Sequence, residues 1–230
     1  MRYFLLSLLL LPQLGAARPR PPHPLKLPLT AQAHADEEAP WVVPAPQVLP
    51  NGEPPLQQYD FMKSLGRPCR IPGNRLPWGI YTAPAQQHLV GAALQVWNRW
   101  AAQLGWGPFF VLVFQKEQAD LVVQWGDPRL PRDKAAATWW SSARQGLRTQ
   151  GVSVEYNPRV AAGNQVQALA HELGHVLGLG ESYQAGDLMY YKLSARRLRV
   201  DQVRLTDRDR TALQWLYQIP SPGTIWGRRD

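Results

Sequence analysis

Hydrophobic and polar positions change rhythm several times along the chain, and each rhythm predicts an element. Residues 78–82 read as a first strand. Over residues 86–104 apolar side chains recur at Leu89, Val90, Ala93, Trp97, Trp100 and Leu104, the spacing of one helix face. Residues 109–114 and 121–125 are unbroken apolar runs of strand length, rich in β-branched or aromatic residues, and predict central strands. Residues 138–141 predict a short strand. Val152, Val154 and Tyr156 alternate with Ser153 and Glu155, which predicts a half-buried strand at a sheet edge. Asn164 is placed to cap a helix running to about Leu177, with Val166, Leu169, Ala170, Leu173 and Val176 or Leu177 toward the core and Gly178 and Gly180 stopping it. A last helix is expected to start at Thr206, whose hydroxyl can accept from the amide three residues on. Asp207 and Asp209 sit at its positive end, Ala212, Leu213, Leu216 and Tyr217 form its buried stripe, and Pro220 ends it.

The region before these elements has another texture. Arg2, the apolar run 4–11 and the small residues Gly15, Ala16 and Ala17 predict an export signal cleaved near Ala17, and hence a secreted, periplasmic or extracellular protein. The run falls well short of the roughly 20 residues a membrane span needs, and no later segment supplies one. Residues 18–75 carry prolines at short intervals, which block helices, and are expected to form a linker or pro-segment. The folded domain is then expected over 76–220, with a tail at 221–230.

In a chain of 230 residues, 45% hydrophobic content and 10 tryptophans support a true core. Cys69 stands alone, so no intrachain disulfide is available. A net charge of +8 attracts polyanions, yet only Arg196, Arg197 and Arg199 cluster and no nucleic-acid motif accompanies them. No specific nucleic-acid partner is expected, and the chain is expected to be a monomer.

The chemistry gathers in the penultimate helix. His171 and His175 are four residues apart, one turn along the same face, so both imidazoles can reach a single metal ion. Glu172 projects beside them, where it can take a proton from a metal-activated water. Catalytic zinc usually keeps three protein ligands. No histidine follows His175, so downstream carboxylates are the candidates: Glu181 first, just past the glycine turn, with Asp187 in reserve. The residues themselves indicate metal-assisted hydrolysis.

His171-Glu172-Leu173-Gly174-His175-Val176-Leu177-Gly178-Leu179-Gly180-Glu181, followed by Asp187-Leu188-Met189-Tyr190, resembles the metzincin pattern H-E-x-x-H-x-x-G-x-x-H with its downstream Met-turn, and most closely the matrixin (matrix metalloproteinase) branch. His171, Glu172, His175, Gly178 and Met189 fall on matching positions. Residues 78–127 resemble the opening of a matrixin catalytic domain and residues 205–217 its closing helix, so the likeness covers about two-thirds of the chain. It implies an α+β, zincin-like fold: a twisted, mostly parallel sheet with an antiparallel edge strand, an active-site helix, a Met-turn and a C-terminal helix. It also implies zinc-dependent cleavage of peptides or proteins, with Met189 as a hydrophobic floor beneath the metal.

Glu181 stands where the family has its third histidine. The His- and Asp-rich loop that carries a structural zinc in animal matrixins has no counterpart between Gly126 and Asn157, so one zinc is expected. In other metzincins a tyrosine two residues after the methionine touches the metal or steadies the oxyanion, which implies such a role for Tyr191. Gly66-Arg67-Pro68-Cys69-Arg70-Ile71-Pro72 loosely resembles the matrixin latency switch, which implies a thiolate on the zinc, and the alternative for Cys69 is an incidental buried thiol. The alternative is a catalytically silent exported protein that keeps the fold and binds zinc or a polymer.

Overall fold

The computed structural model describes residues 59–64, 67–130, 134–143, 146–155, 157, 159–193, 196–218 and 223–228. The expected export signal, most of the proline-rich segment, Tyr156 and Pro220 lie outside them.

Three strands, β4 (Trp78–Tyr81), β5 (Phe110–Leu112) and β6 (Leu121–Trp125), form a parallel set in which β4 lies between the other two. β6 is buried along most of its length, as expected of a central strand, but β5 pairs only with β4 and so lies at the sheet edge with Val111 exposed, contrary to the central position expected from its apolar run. Helix α1 (Gln87–Gln103) buries Leu89, Val90, Ala93, Leu94, Trp97, Trp100 and Ala101. It realises the helical face read from the sequence. Beyond β6 runs β8 (Gly146–Val154), parallel to it, and β7 (Ala136–Ala143) pairs antiparallel along the whole length of β8.

The edge position therefore belongs to β7, and β8 is interior, contrary to the expectation from its alternating pattern. The polar member of that alternation is satisfied internally. Ser153 is 1% exposed, donates to Asp127 Oδ2 at 2.6 Å and accepts from Trp139 Nε1 at 2.7 Å. A buried polar residue on a strand needs a partner, and Ser153 has two.

Helix α2 (Ala162–Val176) starts ahead of the expected cap. Asn164 sits inside it because its amide is engaged elsewhere: Nδ2 donates to Arg196 O and Oδ1 accepts from Leu198 N, both at 2.9 Å. Helix α3 (Asp207–Gln218) begins as predicted. Thr206 Oγ1 accepts from Asp209 N at 3.2 Å, and Asp209 Oδ2 accepts from Thr206 N at 2.9 Å, a reciprocal cap.

Residues before the expected domain start belong to the fold. Strands β1 (Tyr59–Phe61), β2 (Lys63–Ser64) and β3 (Arg67–Arg70) precede β4, and Tyr59, Cys69 and Ile71 are core residues. The domain start expected at residue 76 thus moves back to Tyr59 among the described residues. β3 pairs with β10 (Gly223–Trp226), which pairs in turn with the first half of β8, so residues expected to form a plain tail also extend the sheet. β1 pairs antiparallel with a short strand after α2, β9 (Leu179–Ser182). No described helix is long and apolar enough to cross a membrane.

Candidate metal centre

Helix α2 is buried on nearly every side, which fixes the direction of the polar groups it carries. Trp97 of α1 donates its indole N–H to Ala170 O at 2.9 Å, tying the two helices together one residue before His171. Just before His175, Gly174 has no side chain, and a Cβ there would run into Met189 Sδ and lie 2.9 Å from Trp97 Cζ2. Glycine is what lets Met189, 0% exposed, pack against the helix. Leu177 and Gly178 then end the helix. Gly178 adopts φ +103°, and any side chain on it would strike the backbone carbonyl of Cys69. This turn delivers the chain into β9, which carries Glu181.

The two imidazoles lie with ring centres 4.7 Å apart and planes perpendicular. Each makes its Nδ1 contact with a backbone carbonyl: His171 Nδ1 to Leu188 O and His175 Nδ1 to Leu179 O, both at 2.9 Å. A carbonyl only accepts, so each Nδ1 carries a hydrogen and each neutral ring keeps a lone pair on Nε2. Both Nε2 atoms face the same carboxylate. Glu181 Oε2 is 3.4 Å from His171 Nε2, and Oε1 is 3.7 Å from His175 Nε2.

Three lone-pair donors thus converge, and Glu181 Oε2 is buried without a hydrogen-bond partner. A proton shared into this cluster would relieve the repulsion, and the shifts of His175 and Glu181 point that way. Burial works against a charged His175, but Glu181, Glu172 and the Leu179 carbonyl outweigh it and raise its pKa. Burial likewise pushes the Glu181 carboxyl up, but His171 and His175 more than offset it and hold it at about 2. A divalent cation would replace that proton, and the N, N, O donor set suits zinc. Ligand atoms of His171, Glu172 and His175 all lie within 4.8 Å of one another, so Glu172 is also at the centre.

Glu172 has a partner that the sequence did not signal. Thr138 of the edge strand β7 donates its hydroxyl to Glu172 Oε2 at 2.6 Å. Thr138, Glu172, His175 and Glu181 line one cleft of about 580 Å³, together with Ala136, Ala137 and Trp140 of β7 and residues 60–63 from the chain's earlier part.

The remaining candidates have other surroundings. Asp187 is committed elsewhere: its carboxylate accepts from the hydroxyls of Ser182 and Thr206 and from Arg208 Nε at 3.1 Å. Tyr191 is 47% exposed, and its ring packs against Tyr183 and Tyr190 with Lys192 above it, outside the residues lining the cleft. Cys69 is fully buried in the hydrophobic core on β3, and is not in the group of converging metal-capable side chains. Its burial is that of an ordinary core thiol.

Beneath the site lies a second polar cluster that sequence reasoning missed. Asp209, 0% exposed, accepts from Leu188 N at 2.9 Å and Met189 N at 3.3 Å, and from the hydroxyl of Tyr59 at 2.6 Å. The Leu188 whose amide Asp209 holds is the residue whose carbonyl orients His171. Nothing in the sequence around Tyr59 or Asp209 marks this link, because the partners are 150 residues apart.

A buried helix presenting two metal-ready imidazoles below the edge of a mostly parallel sheet defines a domain of the zinc-peptidase class. Comparison with protein families makes this specific: the matrixin family, peptidase M10, matches residues 23–218, and the chain belongs to that family. A search of curated proteins found no match. Matrixin membership makes zinc the implied metal and peptides or proteins the implied substrates.

Proposed function

We propose that this chain is an exported zinc-dependent endopeptidase with one catalytic metal, held by His171, His175 and Glu181, and with Glu172 as its general base. The observation that carries the reading is that two Nε2 lone pairs face the two oxygens of one carboxylate, His171 at Oε2 and His175 at Oε1, and that Oε2 is buried without a hydrogen-bond partner. Such a cluster is unfavourable until a cation joins it. When bound, zinc supplies an acidified water and polarises the scissile carbonyl.

The protein's own residues do the remainder. Glu172 takes a proton at its carboxylate from the attacking water and returns it to the departing amine. Thr138 steadies that carboxylate through Oε2 and leaves Oε1 as the free acceptor. Among the described residues β7 pairs on one side only, with β8, so its outer backbone edge can hold an extended peptide as an added strand. Residues 60–63 form the facing wall of the cleft. Glu181 would hold the metal with a negatively charged oxygen where a third histidine would offer a neutral nitrogen.

Metal analysis of the purified chain together with a fluorogenic peptide assay tests this reading. One zinc per chain and chelator-sensitive cleavage are expected. Glu172→Gln should lose activity by at least about 100-fold while retaining its zinc. Undiminished cleavage by Glu172→Gln would refute the mechanism, and zinc binding without any cleavage would favour the silent-binder alternative.

A further inference from the structure

Away from the metal cleft, and sharing no lining residue with it, a groove of about 550 Å³ runs between α1 and the segment leading into α3. Four arginines converge on it from three parts of the chain: Arg99 on α1, Arg199 and Arg204 on either side of the short turn Val200–Gln202, and Arg210 on α3. Asp201 is the one acid in its lining. Val96, Trp100, Val203 and Leu205 supply apolar surface.

The ion pairs in this region leave positive charge over. Arg199 is paired with Asp201 at 2.6 Å and Arg210 with Asp207 at 3.3 Å. Arg99 and Arg204 are exposed and make no ion pair among the described residues. Arg210 also has its Nε buried without a hydrogen-bond partner. Asp201 and Asp207 offset two of the four guanidinium groups, which leaves the charges of Arg99 and Arg204 over at one concavity.

The chemistry of the cations narrows the ligand. All of the basic residues in the lining are arginine. A guanidinium is a planar fork that engages two oxygens of one oxyanion at once, whereas a lysine acts as a point charge. The volume is that of a small-molecule site, large enough for an oxyanion on a sugar-sized carrier. We infer that this groove is a binding site for a phosphate or sulfate ester, separate from the metal centre and independent of its catalytic reading.

Isothermal titration of the full chain with inorganic pyrophosphate and with sulfate, against sodium chloride at matched ionic strength, tests the inference. Saturable binding of one or both anions is expected, with chloride producing none. A preference for pyrophosphate assigns the phosphate ester and a preference for sulfate the sulfate ester. Either supports the site.

Arg99→Gln with Arg204→Gln, both at exposed positions, should weaken binding by at least about tenfold with the melting temperature unchanged. Arg99→Lys with Arg204→Lys keeps the charge but removes the forks, and should still lose severalfold. Lys63→Gln with Lys134→Gln, at the metal cleft, should bind as the parent does. Binding that follows ionic strength alone overturns the inference, as does binding unchanged in the arginine variants or lost equally in Lys63→Gln with Lys134→Gln.

Discussion

Replacing Tyr59 by phenylalanine probes how far the segment before β4 supports the metal centre. The tyrosine ring is 5% exposed and its hydroxyl donates to a carboxylate that is 0% exposed. Burial, and then the negative charge of Asp209, push the phenol well above its ordinary pKa, so it remains protonated and available as a donor at any physiological pH. Phenylalanine preserves the ring packing and removes one hydrogen bond. Asp209 Oδ1 would then keep only the 3.3 Å contact from Met189 N. A buried hydrogen bond to a charged group is worth about 1.5–3 kcal/mol, and a buried charge left short of a donor places the cost toward the upper end. For a domain of this size that corresponds to a fall of about 3–12 °C in melting temperature, read by calorimetry on the metal-loaded chain. Because Asp209 also holds the amides of Leu188 and Met189, and Leu188 O orients His171, zinc affinity measured by chelator competition should fall as well. A variant that melts within about 1 °C of the parent and binds zinc equally would refute the coupling.

Thr138→Val should lower kcat/KM by about tenfold at unchanged zinc content, since the lost hydroxyl orients the Glu172 carboxylate without touching the metal site; an unchanged rate would remove Thr138 from the mechanism. Glu181→Gln keeps the shape but loses the charge, and should weaken zinc binding by at least about tenfold in competition with a chromogenic chelator, whereas equal affinity would show that another group completes the site. Asp127 supplies a pH-dependent test. Its carboxyl is held below the ordinary carboxylate range first by the Arg129 side chain and then by Ser153. A depressed folded-state pKa gives stability that is complete above the unfolded value of about 3.9 and fades as pH falls below it. The urea midpoint of Asp127→Asn should therefore lie below that of the parent at pH 7, with the gap narrowing in acid. A constant gap would contradict the assignment.

What was legible in the sequence was what is local in the chain. Helix α1 announced itself through apolar side chains at helical spacing, and α3 through a threonine cap with aspartates behind it. The apolar run of β6 marked an interior strand, whereas the equally apolar run of β5 lies at the sheet edge with Val111 exposed, because apolar content alone does not say how many neighbours a strand has. Where a local signal had two physical causes, it misled. Alternation along β8 reads as one wet face, yet Ser153 is dry and bonded to Asp127 and Trp139. Proline density before β4 reads as a linker, because proline excludes helices and weakens strands. Short strands with one proline among them still formed where β9 and β10 offered partners.

The candidate site divides along the same line. His171, Glu172 and His175 share one helical turn, so their spacing alone brings them together, and Glu181 follows within reach of a glycine turn. The groups that make those residues functional come from elsewhere. Thr138 arrives on β7, Met189 fits only because position 174 lacks a side chain, and Tyr59 and Asp209 meet across most of the fold. The four arginines of the second groove are scattered between positions 99 and 210, so only the folded chain concentrates their charge. Metal ligands can be read from a motif because one helix dictates their geometry. The polarity, orientation and rigidity that turn ligands into a catalyst depend on tertiary contacts. For this chain those contacts begin at Tyr59, so a truncation starting at residue 76 should lose β1 and with it the strand partner of Glu181.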